Sequence, residues 1–131
     1  MGEYSKRHYY SVDLDDQIVQ HSCGLLLVHD DKEADEIVVV MTRSGVPYIP
    51  NPIPTIIGYM QRSDGVTVRF DMQNDMNTDG VVGVTLCKEC YEVEGRFTLS
   101  VEIYAYEESR STILVIDGYV RRVKTDNLVY P

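Results

Sequence analysis

The feature that most constrains the fold of this chain is a strict alternation of apolar and polar residues between positions 97 and 103. The apolar members are Phe97, Leu99, Val101 and Ile103, and the polar members are Thr98, Ser100 and Glu102. Because successive side chains of a strand point to opposite faces of a sheet, the apolar residues line one face and the polar residues line the other. The pattern predicts a half-buried strand of an antiparallel sheet.

Gly95 and Tyr91, which precede this alternating pattern, are predicted to shape one end of the core. Gly95 provides a bend or a close backbone approach where the chain enters the sheet. Tyr91 has a large apolar ring that can plug the end of the core, and its hydroxyl then needs a hydrogen-bond partner. We therefore expect the core to include Tyr91, Gly95, Phe97, Leu99 and Val101.

Strand patterns recur along the rest of the chain. Residues 9–14 are predicted to form an edge strand, and residues 24–28 form a short apolar run. Residues 36–43 are apolar on both faces, which is typical of a central strand. Residues 111–124 form the last predicted strand, in which Gly118 marks a bulge.

A hairpin is predicted in the middle of the chain. Asp64-Gly65 separates the strand patterns of residues 55–61 and 66–71, and this dipeptide is a strong hairpin signal. Residues 81–86 add another alternating strand. With about seven or eight strands and no helical periodicity, the predicted fold is all-β, an antiparallel β-sandwich.

Length and composition fit one soluble domain made in the cytoplasm. The 131 residues are enough to bury a core, so we expect a single domain with loosely ordered arms at residues 1–8 and 125–131. The net charge of −9 repels nucleic-acid phosphates, and no apolar run is long enough to span a membrane. Three cysteines are too few for a disulfide framework, and the N-terminus lacks the apolar stretch of a signal peptide.

A hairpin-type turn is predicted at Ser44-Gly45-Val46-Pro47, and the segment from Pro47 to Pro54 contains four prolines in eight positions. Proline has no N–H for a β-ladder, so this segment is predicted to be an extended edge or loop. A stiff connection between two sheets is the simpler interpretation. A proline-rich ligand for a partner domain is the alternative, and either makes the segment a candidate contact surface.

Several blocks of the sequence resemble a known family. Residues 57–68, IGYMQRSDGVTV, are similar to the "GYFIRADGTTV" segment found in the N-terminal domains of bacteriophage baseplate upper proteins. Val84-Thr85-Leu86, Cys90-Tyr91 and residues 95–99 resemble the family's "VTL…CYAVPGRFSL" block. Residues 118–126 resemble its closing "G-x-V…STD" strand. The resemblance spans roughly residues 24–131 and implies a β-sandwich that oligomerises and builds phage tail machinery.

Two short motifs invite a metal-site interpretation. Cys87 and Cys90 form a C-x-x-C, which would need partners such as Cys23, His21 or His29 to hold zinc. Cys90 is more simply a packed residue beside Tyr91, as the family resemblance implies.

The other motif is Asp75-Met76-Asn77-Thr78-Asp79-Gly80, which matches the opening of a calcium loop. Leu86 replaces the glutamate expected at the twelfth position, so a polar hairpin tip is favoured and a calcium site at Asp75, Asn77 and Asp79 stays an alternative.

No catalytic, cofactor-binding or metal site is predicted. The chain has no nucleophile motif and no phosphate-binding loop. Glu92, Glu94 and Glu102 are expected to be solvated, and His8, His21 and His29 are expected to lie in exposed loops. We therefore expect a protein that is not an enzyme and needs no cofactor.

Apolar residues are also expected on the second faces of strands, where they would pack against other copies or a second sheet. These residues are Val38, Val40, Ile56, Leu114 and Ile116. Together with the resemblance, they favour a structural protein of a tailed phage virion, at the baseplate or tail tip or decorating the particle. Its expected partners are other copies, as a trimer, and other phage structural proteins.

The alternative is a carbohydrate- or host-surface-binding module that stacks sugars on exposed tyrosines. The candidate tyrosines are Tyr9, Tyr10, Tyr48, Tyr104 and Tyr106.

Overall fold

The computed structural model describes residues 6–16, 19–48, 55–74, 79–105 and 109–122. These residues form ten strands and a short 3₁₀ helix, Lys88–Tyr91. The strands are β1 (Lys6–Asp13), β2 (Gln20–Val28), β3 (Asp35–Arg43), β4 (Val46–Pro47), β5 (Thr55–Gln61), β6 (Thr67–Asp71), β7 (Gln73–Asn74), β8 (Val81–Thr85), β9 (Gly95–Ala105) and β10 (Ser109–Arg121).

The strands build two five-stranded sheets, and the predicted all-β sandwich is confirmed. Sheet A has the order β1-β3-β8-β7, with β4 also paired to β3, and sheet B has the order β2-β10-β9-β5-β6. Both sheets are mixed rather than purely antiparallel, because β1 runs parallel to β3 and β2 runs parallel to β10. The chain crosses from one sheet to the other between β1 and β2 and returns for β3, so β3 can lie beside β1 in the same direction.

The core lies between the two sheets. Strand β9, in the middle of sheet B, buries Phe97, Leu99, Val101 and Ile103, as the alternation predicted. Strand β3 of sheet A buries Ile37, Val39 and Met41 opposite them. Its outward Val38 is also buried, which confirms the prediction of a central strand with two apolar faces.

Tyr91 closes one end of the core, and its hydroxyl has the predicted partner. The hydroxyl donates a hydrogen bond to Oδ2 of buried Asp35 at 3.0 Å and accepts one from the Asp35 backbone N–H at 3.1 Å. Nε2 of His8 lies 2.8 Å from the other oxygen of that carboxylate. Burial and the neighbouring Asp35 carboxylate both raise the pKa of Tyr91. Through these contacts Tyr91 links the 3₁₀ helix to β3 directly, and Asp35 in turn contacts β1.

Strand β1 is the predicted edge strand, but it begins earlier than expected. Lys6, Arg7 and His8 were assigned to a loose N-terminal arm, and they pair with Asp35, Glu36 and Ile37 of β3. The arm prediction is therefore wrong for residues 6–8, because the parallel partner strand satisfies their backbone groups. Residues 1–5 and 125–131 lie outside the described residues.

The two predicted turns are confirmed. Ser44 and Gly45, with φ of 50° and 81°, join β3 to β4 in the left-handed geometry that two-residue hairpins favour. The Asp64-Gly65 turn joins β5 to β6, and the Asp64 carboxylate accepts a hydrogen bond from the Val66 N–H at 3.1 Å.

Strand β10 contains two irregularities that set which side chains face the core. Against β9, Thr112 pairs with Glu102 and Leu114 pairs with Val101, so Ile113 is an extra residue. Against β2, the register shifts at Asp117/Gly118, where a bulge was predicted, and the extra residue is Gly24 of β2. A one-residue insertion moves the following side chains to the opposite face.

The prediction of outward-facing apolar residues is wrong for three of them. Leu114, Ile116 and Ile56 were expected to face away from the core, and all three are buried within it. The bulge at Ile113 turns Leu114 and Ile116 inward, while Ile56 pairs with the core residue Ile103.

Candidate functional site

The outward surface of sheet A carries a stripe of aliphatic side chains. Tyr9, Val38 and Gly83 are neighbours across β1, β3 and β8. Two residues further along β3, Val40 lies beside Val81 of β8. Val40 and Val81 are half-buried, and the Tyr9 side chain is 62% exposed. We call these five residues the aliphatic face. Of the predicted second-face residues, Val38 and Val40 do lie here.

The aliphatic face has little net charge. Arg7 and Glu36 flank it as an ion pair, with Nε of Arg7 3.6 Å from Oε2 of Glu36. Gly83 leaves room for a groove of about 460 Å³, which Gln73 and Asn74 border. The charges of Arg7 and Glu36 offset each other, so polar and apolar side chains share this surface without a net charge from the pair.

The outward surface of sheet B is different, because it holds a buried carboxylate. Oε1 of Glu102 accepts hydrogen bonds from Nη2 of Arg110 at 2.9 Å and from Oγ1 of Thr112 at 3.3 Å. The Tyr104 hydroxyl donates to Oε2 at 2.9 Å, and the Tyr59 hydroxyl lies 2.7 Å from that of Tyr104. Because Tyr104 gives its proton to Glu102, Tyr59 must be the donor to Tyr104. We call these five residues the Glu102 network.

The network keeps Glu102 ionised although it is buried. Burial raises the pKa of Glu102, but the hydrogen bonds from Arg110, Tyr104 and Thr112 lower it by more, so the pKa lies below its usual value. Loss of solvent and the hydrogen bond that Tyr104 donates to ionised Glu102 raise the pKa of Tyr104. The prediction that Glu102 is solvated is wrong, because residues of β5 and β10 surround it. Glu92 and Glu94 are exposed, as predicted.

A second feature of sheet B is an open groove beside the bulge between β2 and β10. Its outward side chains are Leu26, Arg96, Thr98, Asp117 and Tyr119, and its volume is about 540 Å³. Asp117 accepts hydrogen bonds from Nε2 of His21 at 2.6 Å and from Oγ1 of Thr98 at 3.1 Å. These two contacts, that of His21 first, lower the pKa of Asp117. We call this site the bulge groove.

The tyrosines proposed as stacking platforms are mostly covered. The guanidinium carbon of Arg43 lies 5.5 Å from the ring centre of Tyr48, and that of Arg110 lies 5.6 Å from the ring centre of Tyr104. Tyr10 packs partly against the core, and its burial raises its pKa. Tyr9 is exposed, whereas Tyr106 lies outside the described residues.

The sequence analysis missed Tyr119, which is exposed in the bulge groove. The one signal that pointed to this region was the bulge predicted at Gly118.

The histidines are only partly where they were expected. His21 is exposed but lies within β2 rather than in a loop, His8 is half-buried within β1, and His29 is half-buried directly after β2. Nε2 of His8 contacts Asp35, and Nδ1 of His29 contacts Asp30.

The cysteines lie apart from any set of metal ligands. Sγ of Cys87 lies 3.9 Å from Sγ of Cys90, and Cys23 is exposed on β2. Cys90 is fully buried beside Tyr91, as the resemblance implied, and burial raises its pKa. Within the described ranges, no group of three His, Cys, Asp or Glu side chains is placed to hold a metal ion.

Two other candidate segments fall largely outside the described residues. Asp75 and Asn77 of the possible calcium loop are not described, and Asp79 is exposed. In the proline-rich segment only Pro47 and Tyr48 are described, and Pro47 is the end of β4. Among the described residues, no helix has the length and apolar character needed to span a membrane.

The comparisons with known proteins reveal a shared fold. No protein-family model matches the chain, and no curated protein matches its sequence. Among solved structures, the chain is similar to the N-terminal domain of phage TP901-1 ORF48, with a TM-score of 0.54 and 10% sequence identity. The match covers 90% of this chain and 98% of that domain. At this identity the likeness establishes the fold.

Proposed function

We propose that this protein is a non-enzymatic structural component of a tailed phage virion that acts through protein–protein assembly. It is made in the bacterial host cytoplasm and is incorporated at the baseplate or tail tip, or as a particle-decorating subunit. Its partners are further copies of itself, with a trimer favoured, and other phage structural proteins.

The observation that carries the proposal is the end-to-end likeness to a phage protein domain. The two folds match over nearly the full length of both chains. The sequence blocks at residues 57–68, 84–86, 90–91, 95–99 and 118–126 also resemble blocks of a phage baseplate family. Fold and sequence blocks therefore support the same class of protein.

The aliphatic face is the surface we assign to self-assembly. Copies of a chain with net charge −9 repel each other, so a contact between them is favoured where acidic side chains are few or paired. On the aliphatic face the Glu36 charge is offset by Arg7, and Tyr9, Val40 and Val81 supply apolar area. Burying this stripe against a second copy removes apolar surface from water.

The experiment is the molar mass of the purified protein, measured by light scattering over a range of concentrations. We expect a stable oligomer for the wild type and a monomer for Val40→Lys, because a charge in the interface would have no partner. The matched control is Val115→Lys, which changes a half-buried valine on the outward surface of sheet B. We expect that variant to keep the wild-type mass.

A monomeric wild type at all concentrations would contradict self-assembly. An oligomer that survives Val40→Lys but is lost in Val115→Lys would move the interface to sheet B. Thermal melting of both variants shows whether a loss of mass reflects a lost interface or a lost fold.

A further inference from the structure

We propose that the bulge groove binds a neutral saccharide, with the apolar face of one pyranose ring on Tyr119 and Leu26 and its hydroxyls on Asp117 and Arg96. This is a binding site in addition to the proposed assembly role, and it lies on the opposite sheet from the aliphatic face.

The shape of the groove follows from the backbone. Gly24 is the extra residue of the bulge, with φ of 90°, and nothing lies within 4 Å of the place where its side chain would start. The groove of about 540 Å³ lies within the range of small-ligand sites and has room for a sugar ring. A bulge is a common way to re-aim side chains next to a functional site.

The apolar part of the groove is a pair of side chains directly opposite each other on β10 and β2. Tyr119 is 43% exposed and Leu26 is 49% exposed, so both present area to solvent. An aromatic ring with a polar hydroxyl suits a ligand that has one apolar face and a wet edge. The C–H face of a pyranose ring has this character.

The polar part is a carboxylate already fixed in place. Oδ1 and Oδ2 of Asp117 each accept one hydrogen bond, from Thr98 and His21 respectively, and its side chain is still 47% exposed. A carboxylate has about four acceptor positions, so about two remain for ligand hydroxyls. Fixing the acceptor in advance reduces the ordering cost of binding.

The charge of the groove selects a neutral ligand. Arg96, opposite Tyr119, contributes one positive charge and Asp117 one negative charge, so the groove has no net preference for an ion. The overall charge of −9 further disfavours a polyanion. Polyhydroxyl groups, which both accept and donate hydrogen bonds, satisfy the carboxylate and the guanidinium together.

The experiment is an amide NMR titration of the intact chain with the methyl pyranosides of glucose, galactose and mannose. We expect at least one of them to shift the amides of Gly24, Asp117, Gly118 and Tyr119, with a dissociation constant on the order of millimolar. Sorbitol is the matched ligand control, because it carries similar hydroxyls without a ring face. We expect sorbitol to cause no saturable shift.

Three variants make the test specific. Tyr119→Ala should weaken binding at least tenfold, and Asp117→Asn should weaken it as well. Val46→Ala shortens an exposed apolar side chain on β4 of the opposite sheet, outside the aliphatic face, and should leave binding unchanged. Melting curves confirm that each variant is folded before it is titrated.

Three results would overturn the saccharide site. One is no shift of the groove amides with any pyranoside at its solubility limit. Another is equal binding to wild type and Tyr119→Ala. The third is a shift of the groove amides with protein concentration alone, which would make the groove an interface between copies. If the protein is a monomer and still binds a pyranoside, self-assembly is contradicted and the saccharide site is not. The two proposals can therefore fail separately.

Discussion

The two outward surfaces of the sandwich differ in what shapes them. On sheet A the strands around Gly83 pair regularly, and Gly83, Val40 and Val81 line a groove together with polar side chains. On sheet B the backbone itself departs from regular pairing at Gly24, and a buried carboxylate organises the neighbouring side chains. A surface of the first kind suits contact with another protein, whereas one of the second kind can hold polar groups in fixed positions.

The two surfaces also differ in how each stabilises a glutamate that lies next to apolar residues. Glu36 on sheet A is balanced by Arg7 alone, and its buried Oε2 has no hydrogen-bond partner among the described residues. Glu102 on sheet B has hydrogen bonds to both oxygens. Full hydrogen bonding is what makes a buried charge stabilise a fold, so the sheet B carboxylate should matter more to stability.

The largest expected effect comes from adding one methyl group to Gly118, beneath the bulge groove. In Gly118→Ala the new carbon would overlap the Phe97 ring and the Leu25 carbonyl oxygen, so the backbone must move. We expect a loss of about 3 kcal/mol in the free energy of unfolding. Urea unfolding at neutral pH measures it.

Gly83→Ala is the matched change on sheet A. Its nearest contacts would be 3.4 Å, to Oε1 of Glu36 and the Ile37 carbonyl oxygen, and only small adjustments are needed. We expect an effect within about 0.5 kcal/mol. Equal losses in the two variants would contradict the view that only the sheet B groove is built by the backbone.

An intermediate effect is expected for Glu102→Gln. The amide keeps the shape but removes the negative charge that Arg110 and Tyr104 stabilise. Hydrogen bonds to a charged group contribute more than neutral ones, so we expect a loss of about 2 kcal/mol at neutral pH. Chemical unfolding of the variant beside the wild type gives this difference.

The same variant has a distinct pH dependence. The folded-state pKa of Glu102 lies below its unfolded value, so its contribution is fully present above about pH 4.3 and is lost as the pH falls through the folded-state pKa. The stability gap between wild type and Glu102→Gln should therefore shrink on acidification. A gap that stays constant from neutral to strongly acidic pH would show that ionised Glu102 does not stabilise the fold.

A smaller loss than that of Glu102→Gln is expected for Tyr59→Phe, which removes the outermost hydroxyl of the Glu102 network. Tyr104 keeps its hydrogen bond to Glu102 and loses only the one donated by Tyr59. We expect a loss of about 1 kcal/mol in the free energy of unfolding. Urea unfolding of the variant beside the wild type measures the loss.

Much of the fold was predictable because strand side chains alternate with a period of two. The pattern at residues 97–103 identified the core face of β9, and the Asp64-Gly65 dipeptide located a hairpin. The position of a bulge near Gly118 was also predictable, since glycine in a strand pattern marks irregular pairing. These signals are local in the chain.

The candidate surfaces were harder to predict because they combine distant residues. Glu102 is buried by Arg110 and Thr112 of β10 and by Tyr59 of β5, which are distant in the sequence and cannot be matched by spacing. The extra residue at Ile113 reverses the face of Leu114 and Ile116, so a period counted along β10 gives the wrong answer after it. The sequence around Tyr119 does not distinguish it from other strand tyrosines, because its position in the bulge groove depends on the pairing of β10 with β2.

The sequence by itself determined that the chain is an all-β sandwich and which face of β9 enters the core, since alternation is a property of each strand alone. The tertiary structure decided the parallel pairing of β1 with β3 and of β2 with β10, the burial of Glu102 and the opening of the bulge groove. The reason is that register and pairing depend on contacts between strands, and a single inserted residue changes the face of every side chain beyond it.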